Sequence, residues 1–96
     1  MRVHISHSAD TDLTQIISYL GERNLAAARS VADGIDRRFQ NLARFPFIGR
    51  ERSSLGKGIR SIVAGTYVIF YVVEPDQVTI VRILDGRRDI DAEFQR

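Results

Sequence analysis

The spacing of the apolar residues changes once along this chain, near Gly58, and that change constrains the fold more than any other feature. Before Gly58, apolar residues recur every three or four positions, as they do in helices that bury one face. After it, they form short runs rich in β-branched and aromatic residues, as they do in strands. The pattern therefore predicts an α+β fold, with helices in the first half and a sheet in the second.

Two helices are predicted after a short opening strand at Val3 to Ser6. Ser8 is expected to cap the first helix and Gly21 to end it. Asn24 is expected to cap the second helix, which continues to about Arg44. Because the connection is short, the two helices are expected to form an antiparallel hairpin over residues 8–45. Their apolar stripes are Ala9, Leu13, Ile16, Ile17 and Leu20 in the first helix, and Ala28, Val31, Ala32, Ile35, Phe39 and Leu42 in the second.

Three strands are predicted after a loop that Pro46 and Gly49 open. They are separated by turn-like residues at 64–65 and 74–77, so they are expected to form an antiparallel meander. A short helical segment is expected at the end of the chain. The predicted strands are Ile59 to Val63, Tyr67 to Val73 and Val78 to Leu84, and the last segment is Asp89 to Phe94.

Length and composition exclude several classes of protein. The 96 residues are expected to form one domain, residues 1–96, with no room for an enclosed cofactor cavity. The chain contains no cysteine, so disulfides and thiolate metal sites are excluded. Its first residues carry no signal-peptide pattern, and its longest apolar run, Tyr67 to Val73, is too short to span a bilayer. We therefore expect a cytoplasmic protein without a cofactor, a metal ion or a membrane segment.

The basic residues are strongly biased, since Lys57 is the one lysine among the 14 basic residues. Arginine pairs bidentately with carboxylates and phosphates, so the bias can indicate recognition of a polyanion or of a strongly acidic partner. A GC-rich genome that encodes Arg in preference to Lys is the favoured explanation. A local excess of positive charge occurs between residues 50 and 60, against Glu51 alone. Its members are Arg50, Arg52, Lys57 and Arg60.

No catalytic motif stands out. His4 and His7 have no third potential metal ligand clustered near them, so a capping or solvent-facing role is expected for both. Ser53 and Ser54 lack a nearby histidine and a nucleophile-elbow pattern. The Gly56-Lys57-Gly58 stretch precedes a strand instead of a helix, so it is interpreted as a flexible turn and not as a phosphate loop.

The strand from Tyr67 to Val73 is apolar on both faces. The side chains on one face are Tyr67, Ile69, Tyr71 and Val73, and those on the other are Val68, Phe70 and Val72. The helical hairpin can cover one face only. Either a partner chain supplies the missing layer, or sheet twist and residues such as Phe94 cover the second face.

Five segments of the sequence, taken in order, resemble a known family. They are residues 8–20, Phe45-Pro46-Phe47-Ile48-Gly49-Arg50, Gly58-Ile59-Arg60, residues 65–71 and residues 78–89. Their succession is similar to that of the ParE toxins of the RelE/ParE superfamily, the toxic halves of bacterial type II toxin–antitoxin pairs. The resemblance covers the chain from about Val3 to Asp89.

The resemblance implies a β-α-α-β-β-β order, with the hairpin packed on one face of a small antiparallel sheet. It also implies a ParD-like antitoxin whose C-terminal segment wraps the toxin in a hetero-oligomer, and a role in plasmid stabilisation. For the antitoxin surface we single out outward apolar positions of the hairpin and one face of the sheet, with an arginine for an acidic tail. These residues are Ile16, Leu20, Arg60, Tyr67, Ile69 and Tyr71.

Two activities are known in this superfamily. RelE-like members cut messenger RNA on the ribosome, whereas ParE-like members inhibit DNA gyrase. RNA cleavage needs a base, an acid and a cation beside the phosphate. Arg60 and Arg82 match sheet positions where nuclease members carry arginines, but no Tyr or His follows Tyr71. Where many relatives have a histidine, this chain has Asp85, which would repel phosphate.

We therefore expect a gyrase inhibitor that is not an enzyme and that meets nucleic acid only indirectly, through its antitoxin or gyrase. The residues expected to face the target are Arg82, Arg87, Arg88 and Phe94. The alternatives are a RelE-like ribosome-dependent ribonuclease and a non-toxic interaction module of the same fold.

Overall fold

A computed structural model describes residues 1–95 of the chain. Its elements in order are β1 (Arg2–Ile5), α1 (His7–Arg23), α2 (Leu25–Arg44), β2 (Arg50–Glu51), β3 (Arg60–Ala64), β4 (Tyr67–Val73), β5 (Gln77–Asp85) and α3 (Ile90–Phe94). The predicted α+β class, with a helical hairpin before the meander and a short helix after it, is confirmed.

The five strands form one open sheet in the order β1-β5-β4-β3-β2. The meander β3-β4-β5 is antiparallel, as predicted. β1, however, lies parallel to β5, with Val3 opposite Val78, so the sheet is mixed and not wholly antiparallel. The two-residue strand β2, which no sequence pattern predicted, pairs with β3 at the other edge.

The helix boundaries follow from two capping residues. Ser6, and not Ser8 as predicted, caps α1, because its hydroxyl accepts a hydrogen bond from the Ala9 N–H at 3.1 Å. α1 also continues past Gly21 to Arg23. Asn24 ends α1 and caps α2 as predicted, since its side-chain oxygen accepts a hydrogen bond from the Ala27 N–H at 3.0 Å.

The main core lies between the hairpin and one face of the sheet. From β4 it contains Ile69 and Tyr71, both 0% exposed. The expectation that these two side chains present an exposed face to a partner is therefore wrong, because the hairpin itself covers them. The buried residues of this cluster are Ala9, Ile35, Leu42, Ala64, Ile69, Tyr71, Val78, Ile80 and Ile83.

The second face of β4 is covered at its centre by the end of the chain. Phe70 is 0% exposed, and the Phe94 ring packs edge-on against it with 4.9 Å between ring centroids. The Arg52 guanidinium lies 5.5 Å from the Phe70 ring on this face. Of the two explanations left open, cover from within the chain therefore holds for Phe70, while Val68 and Val72 stay partly exposed.

None of the helices in residues 1–95 is long and apolar enough to cross a membrane.

Candidate functional site

A groove of about 440 Å³ lies between α1 and the ends of β4 and β5 that meet beside it. It brings together three residues predicted for the antitoxin surface and two predicted for the target surface. The first three are Ile16, Leu20 and Tyr67, and the other two are Arg87 and Arg88. Half of the ten residues predicted for two separate surfaces therefore line one groove.

The face of α1 that lines the groove follows from helical spacing. Asp12, Ile16 and Leu20 are separated by four residues each, so their side chains lie above one another on one side of the helix. Asp12 interrupts the apolar stripe, and it is buried, with 8% of its surface exposed. A carboxylate at such a position needs a partner inside the fold.

Arg82 of β5 is that partner. Its Nε lies 2.8 Å from one Asp12 carboxylate oxygen and its Nη2 lies 3.0 Å from the other, a bidentate ion pair. The backbone N–H of Ile83 donates to the same carboxylate at 3.0 Å. The hydrogen bonds to Asp12 raise the pKa of Arg82 above its usual value, so the guanidinium stays charged. Arg82, predicted to face a target, is instead held between elements of the fold.

Glu93 of α3 extends this ion pair into a network. Its carboxylate lies 3.7 Å from Arg82 Nη2 and also pairs with Arg88. Glu93 is buried. The next residue, Phe94, packs its ring against that of Phe70. α3 is therefore fastened to the sheet by one ionic and one aromatic contact, and Phe94, predicted to face a target, is only partly exposed.

Arg87 is the most accessible charge at the groove, with 83% of its side chain exposed. It pairs with Asp85 at 2.7 Å, and its backbone N–H donates to the same carboxylate at 2.9 Å. These hydrogen bonds from Arg87 lower the pKa of Asp85 to about 2. Asp85 is thus a permanent anion beside the groove, as the sequence argument against phosphate binding requires.

The titratable side chains that line the groove are those of Asp12, Tyr19, Tyr67, Asp85, Arg87 and Arg88. Burial, followed by the charge of Asp85, raises the pKa of Tyr67, so its phenol stays neutral. His4 and His7 do not line the groove. Within residues 1–95, no cluster of three His, Cys, Asp or Glu side chains is arranged to hold a metal ion. The groove thus combines apolar side chains of α1 with paired acidic and basic side chains from β5 and the residues that follow it.

Arg60 and Tyr71 do not line the groove. They contact the loop after α2 instead of forming the predicted antitoxin surface. Arg60 donates to the carbonyl oxygens of Gly49 at 2.8 Å and Phe47 at 3.3 Å, and it pairs with Glu51 at 3.2 Å. The buried Tyr71 hydroxyl accepts a hydrogen bond from the Gly49 N–H at 2.8 Å. Both side chains therefore hold the loop that follows α2.

Sequence reasoning missed the contacts of Asp12 and Glu93 with Arg82. For Asp12 a signal was available, since a carboxylate within an apolar helical stripe needs a buried cation. For Glu93 the nearby arginines indicated a salt bridge, which it forms with Arg88, but no local pattern indicated its burial or its contact with Arg82.

Comparisons with known protein sequences give matches over most of the chain. Residues 3–90 match the family model described as ParE toxin of the type II toxin–antitoxin system parDE. Toxin ParE3 of Caulobacter vibrioides is 31% identical over 94 residues, which are 97% of this chain and 94% of the relative.

Two solved structures resemble the chain in three dimensions. One is described as the chromosomal ParDE toxin–antitoxin system of P. aeruginosa, with a TM-score of 0.73 and 20% identity over 86% of this chain and 92% of that one. The other is the toxin–antitoxin complex RelBE2 of Mycobacterium tuberculosis, with a TM-score of 0.54 and 30% identity over 85% of this chain and 93% of that one. The first likeness supports the α+β fold described above.

Proposed function

The chain belongs to the ParE toxin family of type II toxin–antitoxin systems, and on that premise we propose that it inhibits DNA gyrase by binding it and that a ParD-like antitoxin silences it. Residues 1–96 act in this proposal as one toxin domain, in the cytoplasm and without a cofactor. Contact with nucleic acid is indirect, through the antitoxin or through gyrase.

The observation that carries the proposal is the pairing of the arginines near the groove. Arg82, Arg87 and Arg88 each face a carboxylate of the same chain, so none presents the unpaired charge that a cleaved phosphate requires. A nuclease site would also need a base, and Tyr67 is a poor one because its pKa is raised. Paired arginines at a groove that also presents apolar and aromatic side chains support recognition of a protein.

The antitoxin is proposed to fill the groove with an acidic segment that also carries apolar residues. Ile16, Leu20 and Tyr67 supply the apolar contacts of this site. Arg87 and Arg88 lie at the same groove, and each keeps guanidinium N–H donors that its pairing with Asp85 or Glu93 does not use and that can donate to oxygens of the antitoxin segment. Arg60, proposed earlier for an acidic tail, is engaged with the loop after α2 and is not part of this contact.

Silencing follows from the shared groove. We assign the contact with gyrase to Arg87 and Arg88, while Arg82 and Phe94 hold α3 in place beneath them. An antitoxin segment in the groove covers both contact arginines, so the toxin engages either the antitoxin or its target.

A second candidate is a ribosome-dependent ribonuclease, which the likeness to the RelBE2 complex favours. Its cation would have to be Arg82, released from Asp12. A non-toxic interaction module is distinguished from both by growth, since its expression without a partner leaves cells unaffected.

The test uses purified protein freed of antitoxin. It is added to gyrase with relaxed plasmid and, separately, to translating ribosomes with a reporter message. Loss of supercoiling or trapped double-strand breaks, with intact message, supports the proposal, whereas codon-periodic cuts with normal supercoiling contradict it. Arg87→Gln is expected to weaken inhibition, while Arg29→Gln, an exposed arginine of α2, is the matched control.

A further inference from the structure

The loop between α2 and β2 exposes three large apolar side chains within four residues. Phe45, Phe47 and Ile48 are 56%, 64% and 55% exposed, although the chain has a buried core available to such residues. We call residues 45–48 the aromatic loop. Contiguous exposed apolar side chains on a small protein usually mark an interaction site.

The aromatic loop is held firmly in its exposed position. The buried Tyr71 hydroxyl accepts a hydrogen bond from Gly49, the residue that follows the loop. Arg60 donates to the carbonyl oxygens of Phe47 and Gly49. Gly49 has no space for a side chain, since a Cβ there would lie 2.3 Å from the Tyr71 hydroxyl oxygen. A loop fixed in this way loses little conformational freedom when it binds, which favours affinity.

The surroundings of the loop are positively charged. Arg44 precedes it and Arg50 follows it, and both are exposed. None of the ion pairs within residues 1–95 involves either arginine. Glu51, the acidic residue next to Arg50, is paired with Arg60 at 3.2 Å. The loop is therefore apolar at its tip and cationic at its two ends.

This shape and charge indicate what covers the loop. An extended antitoxin segment fits a groove, whereas an exposed apolar turn fits a pocket on a folded protein. We propose that the aromatic loop inserts into an apolar pocket rimmed by carboxylates on the protein that the toxin inhibits. The inference rests on the proposed function, because it adds an apolar anchor to the target contact made by Arg87 and Arg88.

The two contacts lie close enough for one partner to reach both. The groove contains Tyr67 and the loop is tied to Tyr71, and these residues are four positions apart on β4, or about 13 Å at 3.3 Å per residue. An interface of about 800 Å² on each partner covers that distance, with an apolar centre and a polar rim.

Single-stranded nucleic acid is the less suitable occupant. Bases bind by stacking on open aromatic faces, but a guanidinium already lies near each ring, Arg44 at 5.5 Å from Phe45 and Arg60 at 5.1 Å from Phe47. Ile48 offers no stacking face. A carboxylate-rimmed protein pocket uses all three side chains and both free arginines.

The test compares two full-length double variants that each remove two exposed apolar side chains. Phe47→Ser with Ile48→Thr alters the aromatic loop, and Leu25→Ser with Val63→Thr is the control, since Leu25 and Val63 are 58% and 59% exposed elsewhere. Both are checked by circular dichroism and thermal unfolding, so that a folding defect is recognised. Inhibition of gyrase supercoiling, growth arrest in cells without antitoxin, and affinity for the co-purified antitoxin are then measured.

The loop variant is expected to lose at least about tenfold in inhibitory potency, as removal of central interface anchors does, while antitoxin affinity and the control variant stay unchanged. Full potency in the loop variant overturns the inference, as does an equal loss of antitoxin affinity. Loop-dependent binding of a fluorescent thymidine oligonucleotide overturns it in favour of nucleic acid. If wild-type protein leaves supercoiling normal but arrests growth, gyrase is the wrong target. The growth arrest caused by the loop variant is then compared with that caused by wild type, and equal arrest overturns the inference. If wild-type protein is inactive in both assays, the proposed function fails first and the inference falls with it.

A third double variant tests the positive charge at the two ends of the aromatic loop. Arg44→Gln with Arg50→Gln is expected to weaken inhibition and to reduce its dependence on salt. Unchanged potency and salt dependence in this variant contradict the carboxylate rim.

Discussion

Replacing Asp12 by alanine tests the central ionic contact of the fold. The change leaves Arg82 with only Glu93, whose carboxylate is 3.7 Å away, and it removes the acceptor of the Ile83 N–H. Breaking a buried ion pair from one side costs about 3–5 kcal/mol. The Arg82 side chain is 24% exposed, so water partly solvates its charge. We therefore expect the lower end of this range, a loss of about 3 kcal/mol in the free energy of unfolding.

The protein is expected to survive this loss. A chain of 96 residues has an unfolding free energy of roughly 5–14 kcal/mol, so Asp12→Ala should remain folded in water. With a urea m-value of about 1.5 kcal/mol/M, the unfolding midpoint should fall by about 2 M. The matched control is Asp33→Ala, an exposed acid of α2, which should change the unfolding free energy by less than about 0.5 kcal/mol.

A double-mutant cycle separates the ion pair from its surroundings. Arg82→Met leaves the Asp12 carboxylate without its cation, and the double variant should be more stable than the sum of the two single losses predicts, by about 1–3 kcal/mol. Additive losses, or a loss below about 1 kcal/mol for Asp12→Ala, would refute the view that Arg82 supports the fold. In that case Arg82 would again become a candidate for contact with the target.

Further predictions concern the glycines and the pH dependence. Gly49→Ala should lower the unfolding free energy by about 2–3 kcal/mol, because its Cβ would lie 2.3 Å from the Tyr71 hydroxyl oxygen; an unchanged thermal midpoint would show that the loop moves aside freely. Tyr71→Phe should cost about 1 kcal/mol by leaving the Gly49 N–H without its acceptor, measured by urea unfolding. Gly34 lies inside α2, and a Cβ there would meet the side chain of Arg37 at 3.9 Å, an ordinary van der Waals distance. Gly34→Ala should therefore stabilise the protein by about 0.5–1 kcal/mol and raise the melting temperature by about 4 °C. The pKa of Asp85 falls from 3.8 to about 2 on folding, so its contribution is complete above pH 4 and is lost as the pH falls through about 2. Asp85→Asn should therefore be less stable than wild type at pH 5, and the difference should decrease as the pH falls below 4 and be lost below about pH 2; a difference that does not decrease over this range contradicts the assignment.

Local signals in the sequence were sufficient for most of the elements. Asn24 caps α2 where predicted, because capping depends on residues three positions apart. β4 begins and ends at its predicted residues, since its apolar run is bounded by turn residues on both sides. The first helix was misplaced at its start because Ser6 and Ser8 are equally good caps, and only the pairing of Ser6 with β5 selects between them.

Contacts between distant residues could not be predicted in the same way. Asp12 and Arg82 are 70 positions apart, and no pattern in either segment indicates the other. The burial of Tyr71 was missed for a different reason. Its strand has two apolar faces, and the sequence does not show that the hairpin covers Tyr71 while Phe94 covers Phe70.

The parallel pairing of β1 with β5 has a consequence for how this toxin is made. Residues 2–5 of the chain find their partners only at residues 77–80, and α1 finds Arg82 later still. A nascent chain that has not yet reached β5 holds a helical hairpin whose apolar stripes have no sheet to cover them. Such long-range closure is intrinsically slow. The groove between α1 and the ends of β4 and β5 therefore cannot form until β5 has been synthesised and has paired with β1.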